Sequence, residues 1–402
     1  MALSNSSINR PSSAQLLGLF SVLAGGLVAA GGVIMAVLLV FSAQLQVSEA
    51  GIGDIALPQA VAVGALGVCL GLVLIAEGVR KRRGTPSRPF RFRRFGWLWL
   101  AFAVLLVAGT IVSVLNAPPL LMALIHAPTL LLLPALVLTL VGWGLRGRGV
   151  SWSDVSGGLL AGALLGTGTA LVIEAILMVF LAVALFALGL LPQEWLQQAP
   201  QALAAGEIPF PAEVEGLLDG LTPPLMLIAL VFIGGLVPLV EEATKTLGVG
   251  LAGAWLRPSP ARAFLLGVAS GAGFALAENI LNSVFTGPAW GPAVLARLMA
   301  TVMHCATGGL MGWGWGQWWA GRRPWRLPLA FVGAATAHSL WNSCAAGAAL
   351  LGLMALTRTG DPVWMGLAGL LLLTLLGMLF LLACGVAVTL LWASHRLGRS
   401  AL

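Results

Sequence analysis

The chain has 402 residues, of which 59% are hydrophobic and 9% charged, with a formal net charge of +7 and a mean hydropathy of +0.99. A soluble domain carries roughly 25% charged residues, so a water-soluble globular protein is excluded, and a membrane β-barrel is excluded because no alternation in segments of about ten residues is seen. What remains is an all-α, polytopic membrane helix bundle, whose positive charge suits anionic lipid headgroups and does not imply nucleic acid.

Taken in chain order, apolar runs of the roughly 20 residues needed to cross a bilayer predict ten transmembrane helices, at 15–42, 55–77, 95–115, 118–144, 156–191, 223–252, 263–286, 294–319, 327–355 and 364–394. The first run is too long for the core of a signal peptide and is read as a span. The fifth is long for one crossing, which predicts a tilt or a break. Glycine, at 52 residues, exceeds the usual ~7%, as expected where helices approach through small residues. Cys69, Cys305, Cys344 and Cys384 lie inside apolar runs; their spacing fits no zinc pattern, and no disulfide is expected.

Lysine and arginine set the expected orientation. With a cytoplasmic N-terminus, the inner segments collect Arg10, the run "RKRRGTPSRPFRFRR" (80–94), Arg146 and Arg148, Arg257 and Arg262, Arg322, Arg323 and Arg326, and Arg396 and Arg399. Only Arg358 falls in an outer loop, while Arg297 lies just inside the outer end of helix eight and Lys245 within helix six. Both termini are therefore expected to be cytoplasmic. The outer segment 192–222 holds Glu194, Glu207, Glu213, Glu215 and Asp219 and nothing basic. The expected organisation is a four-helix membrane region with a basic loop (1–150), a long fifth helix with the acidic extracytoplasmic segment (151–222), a four-helix core (223–355) and a C-terminal membrane helix (356–402).

The polar residues that violate the membrane pattern cluster in helices six to nine. They are Glu241, Glu242 and Lys245; Glu278, Asn279 and Asn282; His304; and His338 and Asn342. A charge at a helix centre costs roughly 2.5–3.5 kcal/mol on insertion scales, so these groups are expected to face one another or a wet cavity. Glu241 and Lys245, and His338 and Asn342, are i, i+4 pairs on single helix faces, and Glu242 is about 100° round from Glu241, free to take a second role. Lysine occurs only twice in the chain, and a compact amine is suited to neutralising paired carboxylates. Imidazole and carboxylate can hold zinc while a further carboxylate takes a proton from water. Without a metal, a glutamate can activate water while His and Asn hold an oxyanion. Either scheme hydrolyses an amide; a buried network that only joins helices, and an ion path, stay open on these residues alone. Glu174 in helix five and His126 in helix four are read as structural.

"EEATK" (241–245), "FALAEN" (274–279), His304 on the next helix and "HSLWN" (338–342) together resemble the PrsW family of intramembrane proteases, which is related to the type II CAAX prenyl endopeptidases. The resemblance covers about 225–345. It implies hydrolysis of a peptide bond in a membrane-embedded protein or peptide, such as an anti-sigma factor. The low Lys/Arg ratio and the Ala/Gly/Leu-rich usage point to a bacterium, and so to the cell membrane as the expected site. By position the resemblance makes Glu241 the water-activating base, with Glu242 assisting or pairing with Lys245. It makes His304 and His338 ligands of a metal such as zinc or holders of the oxyanion, with Asn342 beside His338. Glu278 stands where the CAAX enzymes have a His, as a third ligand or an orienting group. The alternatives are a non-catalytic membrane scaffold of the same fold, which the same superfamily contains, and an ion-coupled transporter.

Overall fold

The structure is a computed structural model that describes residues 13–46, 53–92, 95–146, 149–190, 222–282, 289–321, 323–357 and 362–400. The described residues form ten helices and no strand: α1 (Ser13–Gln46), α2 (Gly53–Arg82), α3 (Gly96–Val114), α4 (Pro119–Leu145), α5 (Trp152–Ala187), α6 (Pro223–Leu256), α7 (Pro260–Leu281), α8 (Trp290–Trp319), α9 (Arg326–Thr357) and α10 (Pro362–Ser400). All but α9 are picked out as long and apolar enough to cross a membrane. The acidic segment expected at 192–222 lies, except for Thr222, outside the described residues.

Local chemistry explains where several helices start. Ser151 and Asp154 form a capping box at the start of α5, the Ser151 N–H donating to Asp154 Oδ2 at 2.9 Å, which satisfies donors the first turn leaves free. Asp154 also accepts from Arg262 Nε at 2.7 Å and so ties α5 to α7. Ser259 caps α7, with Pro260 at the first helical position, where its missing N–H costs nothing. The helix therefore starts three residues before the apolar run. The basic 80–94 run is anchored to the protein, as far as its described residues show. Phe90 is fully buried, its N–H donates to Val150 O at 3.0 Å, and its ring meets Trp152 edge-on at 4.9 Å.

Two helices are interrupted. The long α5 contains a π-helical turn at Ala161–Gly166, where Gly162 presses on the backbone of Ser270. In α6 a π-helical turn at Phe232–Leu236 precedes Pro238, which has no N–H for the preceding turn. The Ile233 carbonyl accepts from Asn342 Nδ2 at 3.3 Å. A second break follows at Thr246 (φ −104°, ψ 15°). There the Lys245 carbonyl accepts from Ser270 Oγ at 2.6 Å, and Thr246 Oγ1 from Trp315 Nε1 at 3.2 Å. The stretch carrying Glu241, Glu242 and Lys245 is thus a short helix held between two breaks.

The centre of the bundle is α7. Every residue from Ala263 to Ala277 is buried, as in a helix surrounded on all sides. It lies against α4, α5 and α8. Its approach to α8 depends on Gly267 and Gly271 meeting Gly308 and Gly312: a Cβ on Gly308 would stand 3.1 Å from the Gly271 Cα, and one on Gly267 2.8 Å from the Gly312 Cα. Small residues permit such backbone proximity between membrane helices. Gly271→Val is therefore expected to force α8 away. Its overpacking falls on backbone, so it should reach or exceed the upper end of the ~1–3 kcal/mol typical of such changes. A lowered thermal midpoint of the detergent-solubilised protein checks this.

Candidate active site

The breaks in α6 bring its polar stretch against α7, α8 and α9. Glu242, Lys245, His304 and His338 are buried with almost no exposure, and Glu241 retains 8%. Glu242 Oε1 collects three donors: it is bonded to Lys245 Nζ, to Thr307 Oγ1 at 3.0 Å and to His338 Nδ1 at 2.8 Å. Lys245 also lies 5.1 Å from the centroid of the Phe274 ring. Of the two carboxylates within reach of Lys245 along one helix, Glu242 at i, i+3 is the one it engages. Among the described residues no lysine or arginine is paired with Glu241; its Oε2 lies 3.4 Å from His338 Nε2 and has no hydrogen-bond partner.

A second carboxylate–histidine pair lies beside the first. His304 Nε2 is 2.7 Å from Glu278 Oε2, and Glu278 Oε1 is 3.1 Å from Arg297 Nη1. Arg297 Nε also donates to Asn279 Oδ1 at 2.8 Å, and Asn279 Nδ2 donates to Thr301 Oγ1 at 3.1 Å. The ring centroids of His304 and His338 are 4.9 Å apart and the rings nearly perpendicular. Each imidazole thus has one nitrogen beside a carboxylate that a cation holds. The remaining nitrogens are His338 Nε2, facing Glu241, and His304 Nδ1, buried without a partner.

These leftover atoms test whether a metal ion fits. Glu241, His304 and His338 each offer one ligand atom, and the three atoms lie within 4.8 Å of one another. One carboxylate and two imidazoles form a donor set of hydrolytic zinc sites. A carboxylate on the far nitrogen of each histidine is the usual support for such ligands. The unpartnered Glu241 Oε2 and His304 Nδ1 have no other visible use. The residues present therefore fit a metal.

Of the residues expected from sequence, Glu241, Glu242, Lys245, Glu278, His304 and His338 form one cluster. Asn342 shares the helix of His338 but its amide is spent on the Ile233 carbonyl. Asn282 reaches back to Glu278 Oε1 at 3.4 Å. His126 is stacked on Trp290 with centroids 3.5 Å apart, and its Nε2 lies 3.0 Å from Ser113 Oγ; it is held by neighbouring helices and stands apart from the cluster. Glu174 belongs nearer the cluster than its sequence position suggested. Its carboxyl is close enough to interact electrostatically with Glu278 and Glu241, and its Oε1 is buried without a partner. Arg297 and Thr307 were not among the expected site residues. The signal for Arg297 was its place one helical turn before Thr301 and two before His304; an arginine inside an apolar span asks for a partner.

Comparison with known proteins adds one positive finding. Residues 214–382 match the family model of the PrsW family intramembrane metalloproteases. The matched region contains every residue of the cluster except Glu174. No curated protein and no solved structure matches the chain.

Proposed function

We propose that this protein is a multi-pass intramembrane protease that hydrolyses a peptide bond of a membrane-embedded protein, at the cluster formed by α6, α7, α8 and α9. The observation that carries this reading is the convergence of Glu241, His304 and His338, with each histidine backed by a cation-held carboxylate. The family match over 214–382 supports it. On the same reading the setting is a bacterial cell membrane and the substrate a single-span regulatory protein of the anti-sigma type.

The three carboxylates take different roles because their partners differ. Glu242 Oε1 is engaged by Lys245, Thr307 and His338 together; the carboxylate fixes the orientation of His338 and keeps Nδ1 occupied. Glu278, held by Arg297, does the same for His304. Glu241, which unlike Glu242 and Glu278 is paired with no lysine or arginine among the described residues, is the carboxylate free to accept a proton from water as the water oxygen bonds to the substrate carbonyl carbon. When the C–N bond breaks, that proton goes to the departing amine, so the carboxylate is regenerated. Where a zinc ion is held by His304, His338 and Glu241, Glu241 would serve as a ligand instead, and the ion would supply Lewis-acid polarisation of the carbonyl and a more acidic water. Lys245 stays beside Glu242 and balances its charge. In lipid, an unwound substrate backbone needs acceptors for its amides, and Glu174 Oε1 is a buried acceptor without a partner.

The interruptions of α5 and α6 are also what an ion-coupled transporter would show. The experiment that separates the readings is reconstitution of the full chain in liposomes with a single-span reporter substrate. Cleavage is expected, with loss on chelation and recovery on adding zinc. Metal content near one ion per chain is expected to fall in His304→Ala and in His338→Ala. Cleavage that survives chelation by a protein without metal would assign water activation to Glu241 alone, with the histidines at the oxyanion. No cleavage of any single-span substrate would leave the scaffold and transporter readings, and flux of an ion across the same liposomes would select the latter.

A further inference from the structure

A second polar feature lies far along the chain from the site residues, where α4 and α10 end together. Trp143, Arg146, Trp392, His395, Arg396 and Arg399 line a groove of about 540 Å³. The two helices touch through small residues, Gly144 against Ser394 and Gly398 against the backbone of Leu145, so the long side chains are displaced to the rim. Trp143 meets His395 edge-on with centroids 4.7 Å apart, and the Arg396 guanidinium lies 5.0 Å from the centroid of the Trp392 ring. Three guanidiniums converge with no carboxylate among the lining residues, and none of the three has an ion pair among the described residues.

Such a groove asks for an anion with several oxygens, and guanidinium binds phosphate through paired N–H groups. What lies beside it chooses the source of that phosphate. Arg396, Trp392 and Val388 are spaced by four residues on one face of α10, and Leu381 continues that face seven residues further on. Trp392, Val388 and Leu381 are 57%, 66% and 70% exposed. A strip of apolar surface thus leads from the cations along a membrane helix, with tryptophans at the level where indole prefers to sit between lipid and water. Free phosphate would use the cations and leave the strip bare; a diacyl lipid would use both.

We propose that this groove is a specific binding site for the phosphodiester headgroup of an anionic glycerophospholipid, with its acyl chains lying along Trp392, Val388 and Leu381. The site is independent of the proteolytic reading, its headgroup-binding residues lie outside the family-matched range, and it would clamp the ends of α4 and α10 together.

The test is native mass spectrometry of the full-length, detergent-purified chain titrated with phosphatidylglycerol or phosphatidylcholine of identical acyl chains. One phosphatidylglycerol is expected to remain bound under conditions that strip phosphatidylcholine. The Arg146→Gln/Arg396→Gln/Arg399→Gln variant is expected to weaken it on the order of a hundredfold, since each basic side chain near anionic lipid contributes a factor of about five. The control Arg88→Gln/Arg91→Gln, basic and exposed but outside the groove, is expected to bind as the parent does. Should the triple variant lose its cooperative melt, Arg399→Gln alone decides, with roughly a fivefold loss expected. Equal retention of the two lipids would overturn the proposal, as would equal weakening in the control. Displacement of the lipid by millimolar inorganic phosphate would overturn it too, by showing an anion site that makes no use of the acyl chains.

Discussion

Glu241→Gln is expected to stop hydrolysis while the protein still folds and inserts. The change keeps the size of the side chain and its capacity to hydrogen-bond, and removes the anionic oxygen that can accept a proton or bind a metal. General-base catalysis contributes about 10²- to 10⁴-fold, so a loss of at least that size is expected in cleavage of a reconstituted single-span substrate. Because no lysine or arginine among the described residues is paired with Glu241, its neutral replacement leaves no orphaned ammonium or guanidinium behind, and the thermal midpoint should barely move. Metal analysis of the same variant divides the two services that Glu241 can perform. A variant that keeps its metal and loses cleavage has lost the base; one that loses both has lost a ligand. Full cleavage by Glu241→Gln would remove Glu241 from the base role.

Lys245→Ala is expected to have the largest effect on stability. Lys245 and Glu242 are both fully buried, and the amine bonds directly to the carboxylate. Removing one partner of a buried pair leaves the other charge uncompensated, which costs about 3–5 kcal/mol. Here Thr307 and His338 would still donate to Glu242, which places the cost toward the lower end of that range. The double variant Glu242→Gln/Lys245→Met removes both charges and fills the space with a flexible apolar chain, so it should recover most of the stability. It should not recover cleavage, because His338 would have lost the anion that orients its ring. Thermal melts of the three proteins, run beside the cleavage assay, check both halves. Equal stability of Lys245→Ala and the parent would show that the charges are not confined together as the structure has them.

The difference between these two variants follows from a choice that the sequence left open. Along an ideal helix Lys245 can reach Glu241 at i, i+4 or Glu242 at i, i+3. The breaks at Phe232–Leu236 and Thr246 set how the short helix between them is rotated, and the donors on α8 and α9 then meet Glu242. No periodicity in the chain encodes that rotation.

The sequence by itself determined the ten helices seen among the described residues, their approximate bounds and the set of residues that had to be brought together. A bilayer makes each polar residue in a span an anomaly visible in one dimension, and Glu241, Glu242, Lys245, Glu278, His304 and His338 were legible for that reason. The tertiary structure alone decided how they pair: which histidine nitrogen stays free, that Arg297 holds Glu278, that the Asn342 amide is spent on an α6 carbonyl, and that Glu174 approaches the cluster from α5. Those outcomes depend on where one helix crosses another and on how far Pro238 and the close-packed glycines let backbones shift. Crossing positions and helix rotations are set by packing between segments distant in sequence, and no segment carries that information alone.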